Sequence, residues 1–143
     1  MKIKEILSDL EEMAPLAYAE DFDNVGLLIG NQENEATGVL VCHDALESVI
    51  DEAITKNCNL VVCFHPILFS GIKKITGKNY VERSILKAIK NDIAIYAVHT
   101  ALDNHQYGVN KIFCDAIGLI NTKVLIPKQN FIRKLVTYTI PEN

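Results

Sequence analysis

Leu60-Val61-Val62-Cys63-Phe64-His65-Pro66 is the stretch that decides the fold. Its apolar residues run on without alternation, as expected of a strand covered on both faces in a parallel sheet flanked by helices. Proline cannot donate a ladder hydrogen bond and biases the residue before it to an extended conformation. The strand therefore stops with His65 held at its tip. Working outward, the same design recurs. Val39-Leu40-Val41-Cys42 runs into His43, and Ile93-Ala94-Ile95-Tyr96-Ala97-Val98 runs into His99, with His105 six residues on beside Asp103. In an open α/β sheet the ligand crevice lies outside the carboxyl ends of the strands. Imidazoles gathered there, with Asp44 and Asp103, point to a metal or acid–base site.

The segments between these strands complete strand–helix units. Residues 2–13 place Ile3, Ile6, Leu7, Leu10 and Met13 on one helical face, and Pro15 ends that helix. Glu20 to Gly30 reads as a polar turn entering a short buried strand. Residues 38–42 form the next strand, and its helix opens at Asp44, with Glu47 at capping-box spacing. It carries Val49, Ile50, Ala53 and Ile54 inward. A further helix starts near Asn79, again with an acid three residues on, and buries Val81, Ile85, Ala88 and Ile89. Residues 108–117 give a helix with Val109, Ile112, Phe113 and Ala116, stopped by Gly118. Residues 123–126 and 134–140 read as further strands. The alternation predicts an α/β fold: a mostly parallel sheet with helices on both faces and the ligand site at the carboxyl ends of the strands.

With 143 residues and 49% apolar content, the chain has material for one core, so 1–143 reads as a single domain. A net charge of −4 argues against a nucleic-acid partner, since counterion release needs clustered Lys and Arg. The cysteines (Cys42, Cys58, Cys63, Cys114) show no CxxC spacing and read as reduced thiols. Met1-Lys2 leads into an amphipathic helix rather than a signal peptide, and no apolar run reaches membrane-span length. The expectation is a cytoplasmic protein with no membrane contact.

Several residues have the chemistry for a site. A strand-tip imidazole such as His65 suits metal coordination, although a structural histidine bonded to a backbone carbonyl has the same sequence. His99-Thr100-Ala101-Leu102-Asp103-Asn104-His105 places three ligand-capable side chains in a short loop after a strand. A carboxylate there can bridge two ions, and a nearby histidine can orient or complete the set. His43 has the weaker case, because Asp44 is taken as a helix cap. Glu20, Asp21 and Asp23 fit paired acid–base carboxylates, but an acidic turn before a buried strand explains them more simply. The fingerprints GxGxxG, GxxxxGK[ST] and GxSxG are absent from the sequence, which leaves dinucleotide, P-loop and hydrolase-elbow chemistry without support.

Four motifs, taken together, resemble one family. Asp21-Phe22-Asp23-Asn24-Val25-Gly26-Leu27 is similar to a D-x-DNVGL opening, His65-Pro66-Ile67-Leu68-Phe69 to an HHP-x-x-F strand end, Tyr96 to Asp103 to a YxxHTxxD segment, and Gly108-Val109-Asn110 to a GVN helix start. Their order and near-complete coverage resemble the NGG-interacting-factor-three-like family, also called the GTP cyclohydrolase type 2-like dinuclear metal-centre family. The resemblance implies a toroidal homohexamer with two divalent metal ions, zinc, iron or similar, in each subunit. It implies His65 as a metal ligand, Asp103 as a bridging carboxylate ligand, and His99 in the site as the catalytic, proton-carrying histidine.

The chain departs from the family pattern in two ways. Phe64 stands where many members have the first of two histidines. Members also run longer, with a late histidine and glutamate in the site, so this chain corresponds to the N-terminal part of the family fold. With two implied ligands, metal binding is expected to be weak or to need another segment. The resemblance implies metal-assisted hydrolysis of a small, nucleotide-like substrate of the GTP cyclohydrolase type. The alternative is a non-catalytic metal-binding or regulatory hexameric scaffold, which Phe64 favours.

Overall fold

The computed structural model describes residues 1–127. Helix α1 (Ile3–Met13) is followed by a 3-10 turn (Leu16–Tyr18) and strand β1 (Gly26–Ile29). Then come β2 (Val39–Cys42), α2 (Glu47–Thr55), β3 (Leu60–Cys63), α3 (Tyr80–Lys90), β4 (Ala94–Ala97), α4 (His99–Asp103) and α5 (Val109–Ala116). The sheet order is β1-β4-β3-β2. Strands β2, β3 and β4 are parallel, and β1 runs antiparallel to β4. The α/β architecture predicted from the sequence is the one found.

Helices cover both faces, and the central strands are buried throughout for that reason. On one face, Ile50 and Ala53 of α2 and Ile85 and Ala88 of α3 pack on Val61, Cys63, Ile95 and Ala97. On the other, Ile3 and Leu7 of α1 pack on Leu60, Val62, Ala94 and Tyr96. Odd and even positions of β3 thus feed separate cores, and each buried Ile or Leu contributes roughly 1.5–3 kcal/mol. Gly30 takes φ +99 at the exit of β1, and a Cβ there would stand 2.6 Å from the Ala94 Cα. Only glycine lets β1 leave the sheet so close to β4.

Local expectations fail in four places. Helix α2 begins at Glu47 behind an extended Leu46, not at Asp44. The segment read as a loop after His99 is the short helix α4. Ile54 of α2 and Ile89 of α3, expected inward, are exposed. Residues 123–126 form no strand within the described part, and 134–140 lies outside it. The α3 start behaves as expected: the Asn79 side chain accepts from the Glu82 amide at 2.9 Å. Among the described residues, no helix is long and apolar enough to cross a membrane.

Candidate metal centre

Parallel pairing aligns Cys42 with Cys63 and Cys63 with Ala97, so the three strands end at one edge. Backbone bonds carry the ladder past the strands: His65 N donates to His43 O at 3.0 Å, and His99 N donates to Phe64 O at 3.0 Å. Three imidazoles thereby line up edge-to-face across the sheet edge. The His65 ring lies 4.4 Å from that of His43 and 5.3 Å from that of His99, centroid to centroid. His99 has φ +22, a value that non-glycine residues rarely adopt, where the chain turns from β4 into α4.

Each imidazole is oriented by a carboxylate. His65 Nδ1 lies 2.8 Å from Asp44 Oδ1, and His43 Nδ1 lies 2.9 Å from Asp44 Oδ2. His99 Nδ1 lies 2.9 Å from both oxygens of Asp23. A ring nitrogen facing a carboxylate carries the proton, which leaves Nε2 of a neutral ring with its lone pair free. Carboxylate-oriented histidines of this kind are what metal sites use to fix the tautomer.

Asp23 is the most enclosed member, its side chain fully buried beside His99. It also accepts from the Thr100 amide at 3.2 Å, from the Thr100 hydroxyl and from the Asn24 amide at 2.7 Å. Burial alone would raise its pKa, but the hydrogen bonds from Thr100, His99 and Asn24 outweigh it and hold the carboxyl below its usual range. Asp44 is held low as well, by the bonds from His65 and then His43.

Asp103 sits in the opposite situation. It is half-buried on α4, and among the described residues its carboxylate has no hydrogen-bond donor. Burial pushes its pKa up; the fields of His99 and His65 oppose that, and Asp23 adds to it. The structure therefore brings Asp103 into electrostatic range of both His65 and His99. Phe64 lies among the imidazoles, stacked on His43 at 5.4 Å and edge-on to His65 and His99 at 5.1 and 5.4 Å.

Other candidates fall elsewhere. The ring of His105 stacks on Tyr18 at 5.7 Å and contacts Tyr107. Glu20 accepts from the Asn104 side chain at 2.6 Å, and Asp21 is exposed. Asp23, read from the sequence as part of an acidic turn, instead turns its carboxylate to His99 and Thr100. Burial lifts the Cys63 and Cys42 thiols to about 12 and about 11, which leaves neither as a thiolate nucleophile near neutral pH. A cavity of about 370 Å³ opens beside the cluster, lined in part by Asp44, His65, Ile67, Phe69, Tyr80 and Glu82.

Comparison with known proteins gives this geometry a family. The profile of the Duf34/NIF3 (NGG1p interacting factor 3) family matches residues 1–142. The chain belongs to the Duf34/NIF3 family. Among curated relatives, a GTP cyclohydrolase 1 type 2 homolog of Clostridium acetobutylicum is 36% identical over 134 residues, covering 94% of this chain and 50% of the relative. One from Staphylococcus epidermidis is 39% identical over 143 residues, covering 100% of this chain and 38% of the relative. The chain thus spans half or less of the length of these Duf34/NIF3 relatives. Among solved structures, a Bacillus cereus protein related to NIF3 superposes with a TM-score of 0.84 at 41% identity, over 90% of this chain and 35% of that one. Reduced HcgD from Methanocaldococcus jannaschii superposes with a TM-score of 0.82 at 32% identity, over 88% of this chain and 50% of that one.

Proposed function

We propose that this Duf34/NIF3 chain holds a divalent metal ion, zinc, iron or similar, through His65 and Asp103, and serves hydrolysis of a small nucleotide-like molecule. One observation carries the reading: a half-buried carboxylate without a donor, within the fields of two imidazoles that each have Nδ1 turned to a carboxylate. An Asp103 anion so placed is relieved by a cation, and the N and O donor set suits zinc, iron or a similar divalent ion. A bound ion would lower the pKa of a coordinated water toward neutrality. The protein's own part is then positional. Asp44 aims His65, and Asp23 fixes His99 with Nδ1–H inward, so that His99 Nε2 can take a proton from water or return it to a leaving group.

Two ligands are fewer than the three that catalytic zinc sites use. Completion of the set, and the second ion of a dinuclear centre, would come from a further segment or a neighbouring copy in a homohexamer. The GTP cyclohydrolase 1 type 2 naming of the relatives supports the substrate class. The test is metal content after reconstitution with Zn²⁺, together with turnover of a panel of purine nucleotides. The reading expects stoichiometric metal that falls in His65→Ala and in Asp103→Ala, and turnover that also falls in His99→Ala. Equal metal content in the unaltered chain and both ligand variants would refute it.

A second reading, a metal-binding or regulatory scaffold without turnover, draws on Phe64, which fills the space among the imidazoles with a ring that cannot coordinate. Metal binding and hexamers by light scattering, with no turnover, would favour it.

A further inference from the structure

We infer that His43, Asp44 and His65 form a second cation site, sharing His65 but not Asp103 with the proposed centre, for a borderline transition-metal ion such as zinc or cobalt. Their donor atoms all lie within 4.8 Å of one another. The inference uses neither Asp103 nor His99, so it stands or falls apart from the proposed hydrolytic centre.

The geometry supports it in three ways. Each oxygen of Asp44 faces one ring nitrogen, at 2.8 and 2.9 Å, so one carboxylate holds both imidazoles beside it. Ligands at about 2.0–2.2 Å from a tetrahedral ion stand roughly 3.3 Å apart, so the 2.8 and 2.9 Å contacts open by about half an ångström while donors up to 4.8 Å apart draw together. The side chains are free to make that move, being 69%, 48% and 44% exposed for His43, Asp44 and His65. Phe64 meanwhile keeps the His43 ring in place by stacking on it with an interplanar angle of 13°. Asp44 and His65 also line the 370 Å³ cavity, so the coordination position left open faces a space that water or a small ligand can enter.

The chemistry has a consequence for His65. Coordination through Nδ1 moves the ring proton to Nε2, with no net proton taken up or released. Nε2 then carries the proton and has no lone pair to offer a second ion. A cation held by His43, Asp44 and His65 therefore competes with one held by His65 and Asp103. His65 serves one or the other.

Co²⁺ titration of the whole chain tests this, read by its visible d–d absorption, with folding of each variant checked by far-ultraviolet circular dichroism. The variants are Asp103→Ala, His43→Ala and the double variant. The expected result is that Asp103→Ala still binds Co²⁺ and that adding His43→Ala weakens that binding by more than about tenfold. Equal binding by Asp103→Ala and the double variant overturns the inference, as does loss of all binding in Asp103→Ala alone, which leaves the hydrolytic reading intact. If instead His43→Ala alone loses the metal and Asp103→Ala binds as the unaltered chain does, the second site stands and the His65–Asp103 reading falls.

Discussion

Asp23→Asn is the substitution that bears hardest on the site, because it keeps the shape of a fully buried side chain and removes its charge. One carboxylate oxygen accepts from the Asn24 amide, the other from the amide and hydroxyl of Thr100, and both face His99 Nδ1. An asparagine has one acceptor oxygen. Its least costly placement keeps that oxygen toward Thr100 and turns the NH₂ group against the Asn24 amide. The change forfeits at least one hydrogen bond to a charged group, about 1.5–3 kcal/mol, and leaves facing donors at about 1–3 kcal/mol more, part of which water relieves because Asn24 is exposed. A loss of about 2–4 kcal/mol in urea unfolding is expected, a large share of the stability of an ordinary domain.

The sign with pH follows from the depressed pKa. Asp23 contributes stability above the ordinary carboxylate range, and that contribution is lost as pH falls through its lowered folded value. The gap between the two proteins should therefore be widest near neutrality and should close in acid. Nitrogen-15 spectra should also show the His99 proton on Nδ1 in the unaltered chain and a mixture of tautomers in the variant. A destabilisation below about 0.5 kcal/mol that does not change with pH would refute the role given to Asp23.

Gly30→Ala should cost about 2–5 kcal/mol in the same urea assay, from a left-handed φ combined with a Cβ driven into Ala94; an unchanged midpoint would show that β1 can leave the sheet by another route. Ile3→Ala, at a fully buried position on α1, should lose roughly 2–5 kcal/mol, and a loss under about 1 kcal/mol would mean that α1 is not fixed to the sheet as described. With a disulfide reagent at pH 8, Cys58 and Cys114 should react before Cys63, whose buried thiol lies near 12; early labelling of Cys63 would contradict that burial.

Much of the fold is legible because its signals are local. The apolar runs of β3 and β4 and the helical spacing of α1 and α3 need no knowledge of the rest of the chain. The capping reading of Asp44 fails for a reason absent from local sequence: two imidazoles from different strand tips take its oxygens, and the helix starts three residues later. The direction of β1 is likewise non-local, since four apolar residues pair equally well either way round. That direction is what hides Asp23. In a parallel sheet the residue after a strand enters the crevice, whereas an antiparallel strand delivers the residue before it. His65, His99 and Asp103 follow their strands and can be read from sequence as candidates. Asp23 precedes its strand and meets His99 across 76 positions.

The reversed strand β1 also sets how the site can fail. It lies at the sheet margin and is joined to the rest along β4, so it can peel away while β2, β3 and β4 stay zipped together. Its release would carry off the anchor of His99 and leave that of His65 untouched. The anchors of His99 and of His65 therefore hang from separate hinges, and one can be unlatched without unfolding the other.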